Sequence, residues 1–239
     1  MTNAIAVIMP AYNEQEHITA AIASVIEAVK GYVEDYELIV VNDGSTDKTG
    51  ELAEQLAQTN PHIKVLHNER NSGYSFTLFR GLKAATKPYA TVFPGDNEIS
   101  AQYLRDFARE AGKADLIIAY MCGTHRRSFF RRTLSQTFIF LMNLFFGLRL
   151  KGFNGATLYR TGEVRSLPIC SSTGMTILAE ILVRLIKSGS TYKEIPFEFL
   201  GIKDRKSRAL RFQNFVECSK VVGVLLKEVY LTPQNLRRK

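Results

Sequence analysis

Short, nearly continuous apolar runs alternate with amphipathic stretches along the first half of the chain. The runs are IAVIM (5–9), YELIVV (36–41), HIKVL (62–66), YATVF (89–93) and ADLIIAY (114–120). A strand with one wet face alternates apolar and polar residues. A run without that alternation suits a strand buried on both faces, as in a parallel sheet. The intervening stretches, such as EQEHITAAIASVIEAV and TDKTGELAEQLAQ, are 10 to 16 residues long and helical in pattern. Ser45-Thr46-Asp47 supplies N-cap chemistry to the second of them. The expected fold is therefore α/β, a mostly parallel central sheet flanked by helices.

In such sheets ligands bind outside the carboxyl ends of the strands. The loops there read PAYNE (10–14), NDGSTD (42–47), NERNSGYS (68–75) and PGDNE (94–98). Acidic, amide or glycine residues at four successive strand ends argue for a site over chance turn composition. Asp96 and Glu98, one residue apart, suit either a metal ion or an ordinary polar turn. Asp43 suits either a ligand contact or an Asx turn before Gly44. Asp47 fits best as a helix cap.

The net charge of +8 points to an anionic partner: nucleotide, phosphorylated substrate, phospholipid or nucleic acid. Nucleic acid ranks last, because the basic residues gather in two loops beside apolar helices, without stacking aromatics on a sheet face. Cys122, Cys170 and Cys218 are widely spaced and read as reduced, buried residues of a cytosolic protein, not as a zinc site. The N-terminus has no signal-peptide pattern. The most apolar window, FIFLMNLFFGL (138–148), has 11 residues, short of the roughly 20 that cross a bilayer.

The second half differs. Arg126, Arg127, Arg131 and Arg132 lead into an apolar helical segment, 134–148. Phe130, Leu134, Phe138, Met142 and Phe145 share one face of it by their spacing. Phe129, Phe140, Leu141, Leu144 and Phe146 make the rest apolar too. Such a helix is buried twice, against the domain and against a second surface, which an anionic membrane interface or a dimer contact supplies. A helix over 174–188, a strand over 191–199, a basic loop over 201–211 and an amphipathic helix from Phe212 to Leu231 follow. No linker or internal repeat divides the chain.

The succession IMPAYNE, VNDGSTD, N-x-G and PGDNE resembles the inverting family 2 glycosyltransferases, which have the GT-A fold. Downstream, RRTLSQTFIFLMNLFFG, GATLYR, AEILVRLIKSG…EIPFEF and KSRAL are similar to its polyprenyl-phosphate branch, that of dolichol-phosphate mannosyltransferase. The likeness runs from about residue 5 to about residue 210. It implies a nucleotide-sugar half (1–120), an acceptor half (121–211) and a C-terminal helix and tail (212–239).

Carried over residue by residue, the resemblance implies that Pro10, Tyr12 and Glu14 hold the nucleotide base. Asp43 would hydrogen-bond base or ribose, with Gly73 in the next donor loop. Arg70 either pairs with phosphate or is a solvated surface arginine. Asp96 and Glu98 would hold a divalent cation, Mg²⁺ or Mn²⁺, although Pro94 replaces the first aspartate of the family's motif. Glu180 either orients the nucleophile or pairs with Arg184 at i+4. A lipid-phosphate acceptor would meet Arg131, Arg132, Arg205, Ser207 and Arg208.

Here Arg205 replaces the family's glycine, and Lys151 and Asn154 depart from the branch's usual residues. Tyr74, Phe76 and Phe79 are bulkier than the family's residues near the diphosphate. The implied enzyme is cytoplasmic and peripheral at the inner face of a membrane, with homo-oligomerisation left open. A sugar-hydroxyl acceptor and a non-catalytic nucleotide-sugar or membrane-binding module are the alternatives.

Overall fold

A computed structural model of the chain describes residues 4–122, 129–172, 174, 176–198 and 212–231. Strand β1 (Ala4–Ala11) is buried along its whole length and lies inside the sheet. Parallel to it run β2 (Asp35–Asn42) on one flank and β4 (Tyr89–Val92) on the other. Strand β3 (Ile63–His67) extends the sheet beyond β2.

On the far side, β6 (Thr157–Arg160) pairs antiparallel with both β4 and β5 (Leu116–Cys122), and β5 pairs parallel with β7 (Tyr192–Glu198). The order is β3-β2-β1-β4-β6-β5-β7. The apolar runs thus become strands within a residue or two of their expected limits. Strand β6 carries no such signal.

Helix α1 (Ile18–Val29) packs beside α2 (Thr49–Thr59) and α4 (Gln102–Glu110), whereas α3 (Tyr74–Ala84) lies on β1 and β2. Gly81 permits that approach: a Cβ there would stand 2.4 Å from Ile8 Cγ2. The short α6 (Thr161–Arg165) joins α3 to α7 (Ile177–Lys187).

Helix α5 (Phe129–Phe146) seats Phe138, Met142 and Phe146 against the core. Phe145, expected on that face, is 39% exposed instead. The steps of four from Phe138 carry the inward stripe to Phe146 and rotate Phe145 off it. The outer side also shows Phe140 and Leu144, 64% and 62% exposed. No helix among the described residues is long and apolar enough to cross a membrane.

Helix α8 (Phe212–Leu226) and the π-helical turn after it (Lys227–Leu231) are tied down by polar contacts. Glu217 accepts from the Ser172 N–H and hydroxyl, both at 2.6 Å. Glu228 pairs with Arg184, and Tyr230 donates to the Phe145 carbonyl at 2.8 Å.

Candidate active site

Two loops leave the sheet from adjacent carbonyls of β1. The Ala11 carbonyl accepts the Asp43 N–H at 2.8 Å, and the Pro10 carbonyl accepts the Gly95 N–H at 3.1 Å. Strands β2 and β4 flank β1, and the chain runs outward from β1 in opposite directions on its two sides. A ligand crevice opens at such a switch point, beyond the carboxyl ends of the strands. The loops carrying Asp43 and Asp96 therefore share one edge.

Asp43 is only 4% exposed. Its Oδ1 accepts from Asn68 Nδ2 at 2.7 Å and from the Ser72 N–H at 2.8 Å, and its Oδ2 from the Gly73 N–H at 2.9 Å. The carboxylate thus shapes the β3–α3 loop from the start of α3. It is neither an Asx turn before Gly44 nor an open carboxylate. Asn68 continues the network, donating to Thr77 Oγ1 at 3.0 Å and accepting from Arg80. Gly44 has φ +66, and a Cβ there would lie 2.4 Å from the Arg70 carbonyl carbon. The second and third loops consequently touch backbone to backbone, while Arg70 itself is exposed.

The first loop is laced to the second. Asn13 accepts from the Thr46 N–H at 2.9 Å, and the Glu14 N–H donates to Thr49 Oγ1 at 2.7 Å. The Gln15 N–H donates to Asp47, whose other oxygen takes the Thr49 N–H and hydroxyl. Asp47 is expected to cap α2, but the N-cap is Lys48 and carries no side-chain cap; Asp47 instead closes the turn one residue earlier by accepting from Thr49. The Glu14 carbonyl opens α1 by accepting from His17 and Ile18. Pro10 and Glu14 are buried and Tyr12 is partly exposed.

In the fourth loop the Glu98 N–H donates to Asp96 Oδ1 at 3.1 Å, with Asn97 between them at φ 54. Tyr74, the first residue of α3, is close enough to Asp96 to feel its charge. Burial, then the Tyr159 and Asp96 charges, push the Tyr74 phenol above the ordinary tyrosine range. Of the three bulky residues near the expected diphosphate, Tyr74 stands at the site. Phe79 packs on the core under Lys83, and Phe76 faces solvent. Among the described residues no three of His, Cys, Asp and Glu converge as a metal cage. Asp96 and Glu98 are the two carboxylates of this turn, and two carboxylates are what a cation takes when it fills its octahedron with substrate phosphate and water.

The second half of the chain meets this turn at Tyr74: a Cβ on Gly174 would lie 2.9 Å from the Tyr74 ring. The loop before Gly174 is fixed by Glu180, which is fully buried. Glu180 accepts from the Cys170 N–H at 3.0 Å, the Ser171 N–H at 2.8 Å and Arg184 Nε at 2.9 Å, and from the Ser171 hydroxyl. Burial opposes the charge, but these donors, Ser171 first, hold the carboxyl below its ordinary value. Of the two roles open to Glu180, the structure shows the pairing with Arg184. Cys170, expected to be buried, is exposed as a residue. Burial of its sulfur and the Glu180 carboxylate push the thiol up to about 11.

Arg132 is exposed on the first turn of α5. Arg126, Arg127, Arg205, Ser207 and Arg208, and the side chain of Arg131, lie outside the described residues. Sequence reasoning missed Asn68 and the Cys170–Ser171 frame around Glu180. A buried amide directly after a strand was the available signal for Asn68.

Residues 6–176 match glycosyl transferase family 2, and the chain belongs to that family. It is 27% identical over 243 residues, 93% of its length, to the dolichol-phosphate mannosyltransferase of Pyrococcus furiosus. It is 27% identical over 185 residues, 75% of its length, to an undecaprenyl-phosphate 4-deoxy-4-formamido-L-arabinose transferase of Photorhabdus laumondii. The chain spans 64% and 57% of the length of these relatives, under two thirds of either. Glucosyl-3-phosphoglycerate synthase of Mycobacterium tuberculosis, solved with Mn²⁺, UDP and glucosyl-3-phosphoglycerate, superposes with a TM-score of 0.70 at 19% identity. That superposition covers 97% of this chain and 81% of the other and shows the shared GT-A fold.

Proposed function

We propose that the chain transfers a sugar, with inversion, from a nucleotide sugar to a polyprenyl phosphate at a membrane surface. The reading is supported by the two loops hung from the Ala11 and Pro10 carbonyls, which carry Asp43 and the Asp96–Glu98 turn at one edge of the sheet. Asp43 sets the β3–α3 loop against which the donor's phosphates lie, and Pro10, Tyr12 and Glu14 border the base. Asp96 and Glu98 would hold a divalent cation together with the diphosphate, and the cation would neutralise charge developing on the departing nucleoside diphosphate. The polyprenyl-phosphate relatives support the acceptor assignment.

So does Glu180. A hydroxyl acceptor needs a positioned base, and the acid expected to face the acceptor has both oxygens committed within the protein. A phosphate monoester with a second pKa near ~6 is already largely dianionic at neutral pH. One of its oxygens attacks the anomeric carbon directly as the bond to the diphosphate breaks. The donor half is 1–120 and the acceptor half 121–211, with 212–239 completing the membrane-facing side.

Incubation with labelled nucleotide sugars and undecaprenyl or dolichyl phosphate is expected to give lipid-soluble label. Asp96→Ala should lower that transfer by about 10²-fold or more with the fold intact. Nucleotide binding without transfer to any lipid phosphate would overturn the assignment.

Membrane attachment rests on the outer side of α5. Phe140 and Leu144 are largely exposed there, and burying such a side chain contributes about 1.5–3 kcal/mol. Replacing both by serine should release the protein from anionic vesicles in a flotation assay. Stability should change by no more than about 0.5 kcal/mol per surface substitution. Unchanged flotation would place the contact elsewhere.

A further inference from the structure

Beside the turn that carries Asp96 and Glu98 lies a polar cleft of about 290 Å³, to which that turn gives Asn97 but neither of the two carboxylates. It opens between α1 and the segment entering α4, and is lined chiefly by Ser24, Glu27, Asn97, Ser100, Gln102 and Arg105. We propose that this cleft is a second binding site, for a small oxyanion such as a phosphate or carboxylate group, centred on Arg105.

Arg105 is weakly committed. A guanidinium has five N–H donors in a planar fork. Here Nη1 reaches Gln102 Oε1 at 3.3 Å, and Nη2 stands 3.8 Å from Glu27 Oε1. Nε is buried and meets no acceptor among the described residues. A buried donor left without a partner is destabilising, and more so on a charged group. An oxyanion in the cleft would meet the two Nη groups, whose present contacts are long, through short charge-assisted bonds for which the guanidinium fork is suited.

The fork is also held in place. Its carbon lies 5.2 Å from the centre of the Tyr32 ring, and Arg109 lies 5.4 Å from the same ring. Two cations therefore contact one aromatic ring, Arg109 being also paired with Asp106 at 3.3 Å and Arg105 having no ion pair that close among the described residues. Ser100 Oγ accepts the Gln102 N–H at 3.2 Å, so its own hydrogen can be given to a ligand. Ser24 and the Asn97 amide supply further donors. Glu27 lines the cleft as well and opposes an anion, but its side chain is 81% exposed, so solvent screens its charge.

The opposing carboxylate gives the test its sign. Inorganic phosphate is titrated into the whole chain at constant ionic strength, and binding is read by calorimetry. Wild type should bind saturably, Arg105→Gln about tenfold more weakly, and Glu27→Gln about twofold to threefold more tightly. Glu27→Gln alters an exposed side chain and keeps the test decisive if Arg105→Gln perturbs folding. Affinity that survives Arg105→Gln would put the phosphate in the donor crevice. Weaker or unchanged binding by Glu27→Gln would mean that this carboxylate does not face the bound phosphate, and so that the phosphate lies outside the cleft. Either result overturns the proposal, as does the absence of saturable binding.

Discussion

Asp43→Ala is expected to lower the stability of the protein by about 3 kcal/mol and to abolish nucleotide binding. The substitution strips the partner from three donors: Asn68 Nδ2 and the N–H groups of Ser72 and Gly73. Each deeply buried orphan costs about 1–3 kcal/mol. Asn68 bears that cost most fully, because it is buried, whereas Ser72 is exposed and can turn to water. For a chain of this size the loss corresponds to a fall in Tm of roughly 6–12 °C.

Asp43→Asn is the sharper probe. The amide keeps an oxygen toward Asn68 and Ser72 but turns its NH₂ onto the Gly73 N–H, donor against donor. Nucleotide binding should weaken even where the fold survives, since Gly73 is the residue from which α3 starts as its N-cap. Normal binding by both variants would remove the β3–α3 loop from the donor site.

Glu180→Gln should cost about 3–5 kcal/mol, the range for breaking a buried charge pair. Every group facing the carboxylate is a donor: Cys170 and Ser171 N–H, the Ser171 hydroxyl and Arg184. Either orientation of the amide sets its NH₂ against one of them. Arg184, 9% exposed, keeps Glu228 as a second partner, so the loss should fall mostly on the 170–172 loop.

The pH dependence follows from the direction of the shift. Glu180's carboxyl is held below its ordinary value of 4.5 in the folded protein. Its stabilisation is therefore complete above pH 4.5 and is lost as pH falls through the lower folded value. Thermal melts from pH 7 down to pH 3 should show wild type losing this stability as the variant does not. Parallel curves would mean that the carboxylate contributes nothing through its charge.

The sheet was legible because burial on both faces leaves little freedom in composition. Strand β1 has no exposed residue, and its run IAVIM needs no polar alternation. The loops were legible for a related reason: polar side chains crowd where strands end and ligands enter. Strand β6 was not, because four residues, TLYR, carry no period. They become a strand only through β4 and β5 on either side, a tertiary fact.

Asp43 and Glu180 were found as residues but not as partners. Asp43 reaches donors 25 to 30 positions away, and spacing along the chain cannot foretell such contacts. Glu180 was half legible, since the bond to Arg184 is local and the clamp on Cys170 and Ser171 is not. Phe145 and Phe146 changed places because a helix period of 3.6 leaves neighbouring positions near the edge of a stripe undecided.

The two successive carbonyls at the end of β1 have a consequence for how this protein tolerates change. Because neighbouring atoms of one immobile segment suspend both loops, their separation is gauged by a single peptide unit, not by the length of either loop. Residues can be added or exchanged at the loop tips without altering that gauge. A one-residue slip of β1 against β2 and β4 would displace the Asp43 and Asp96 loops at once.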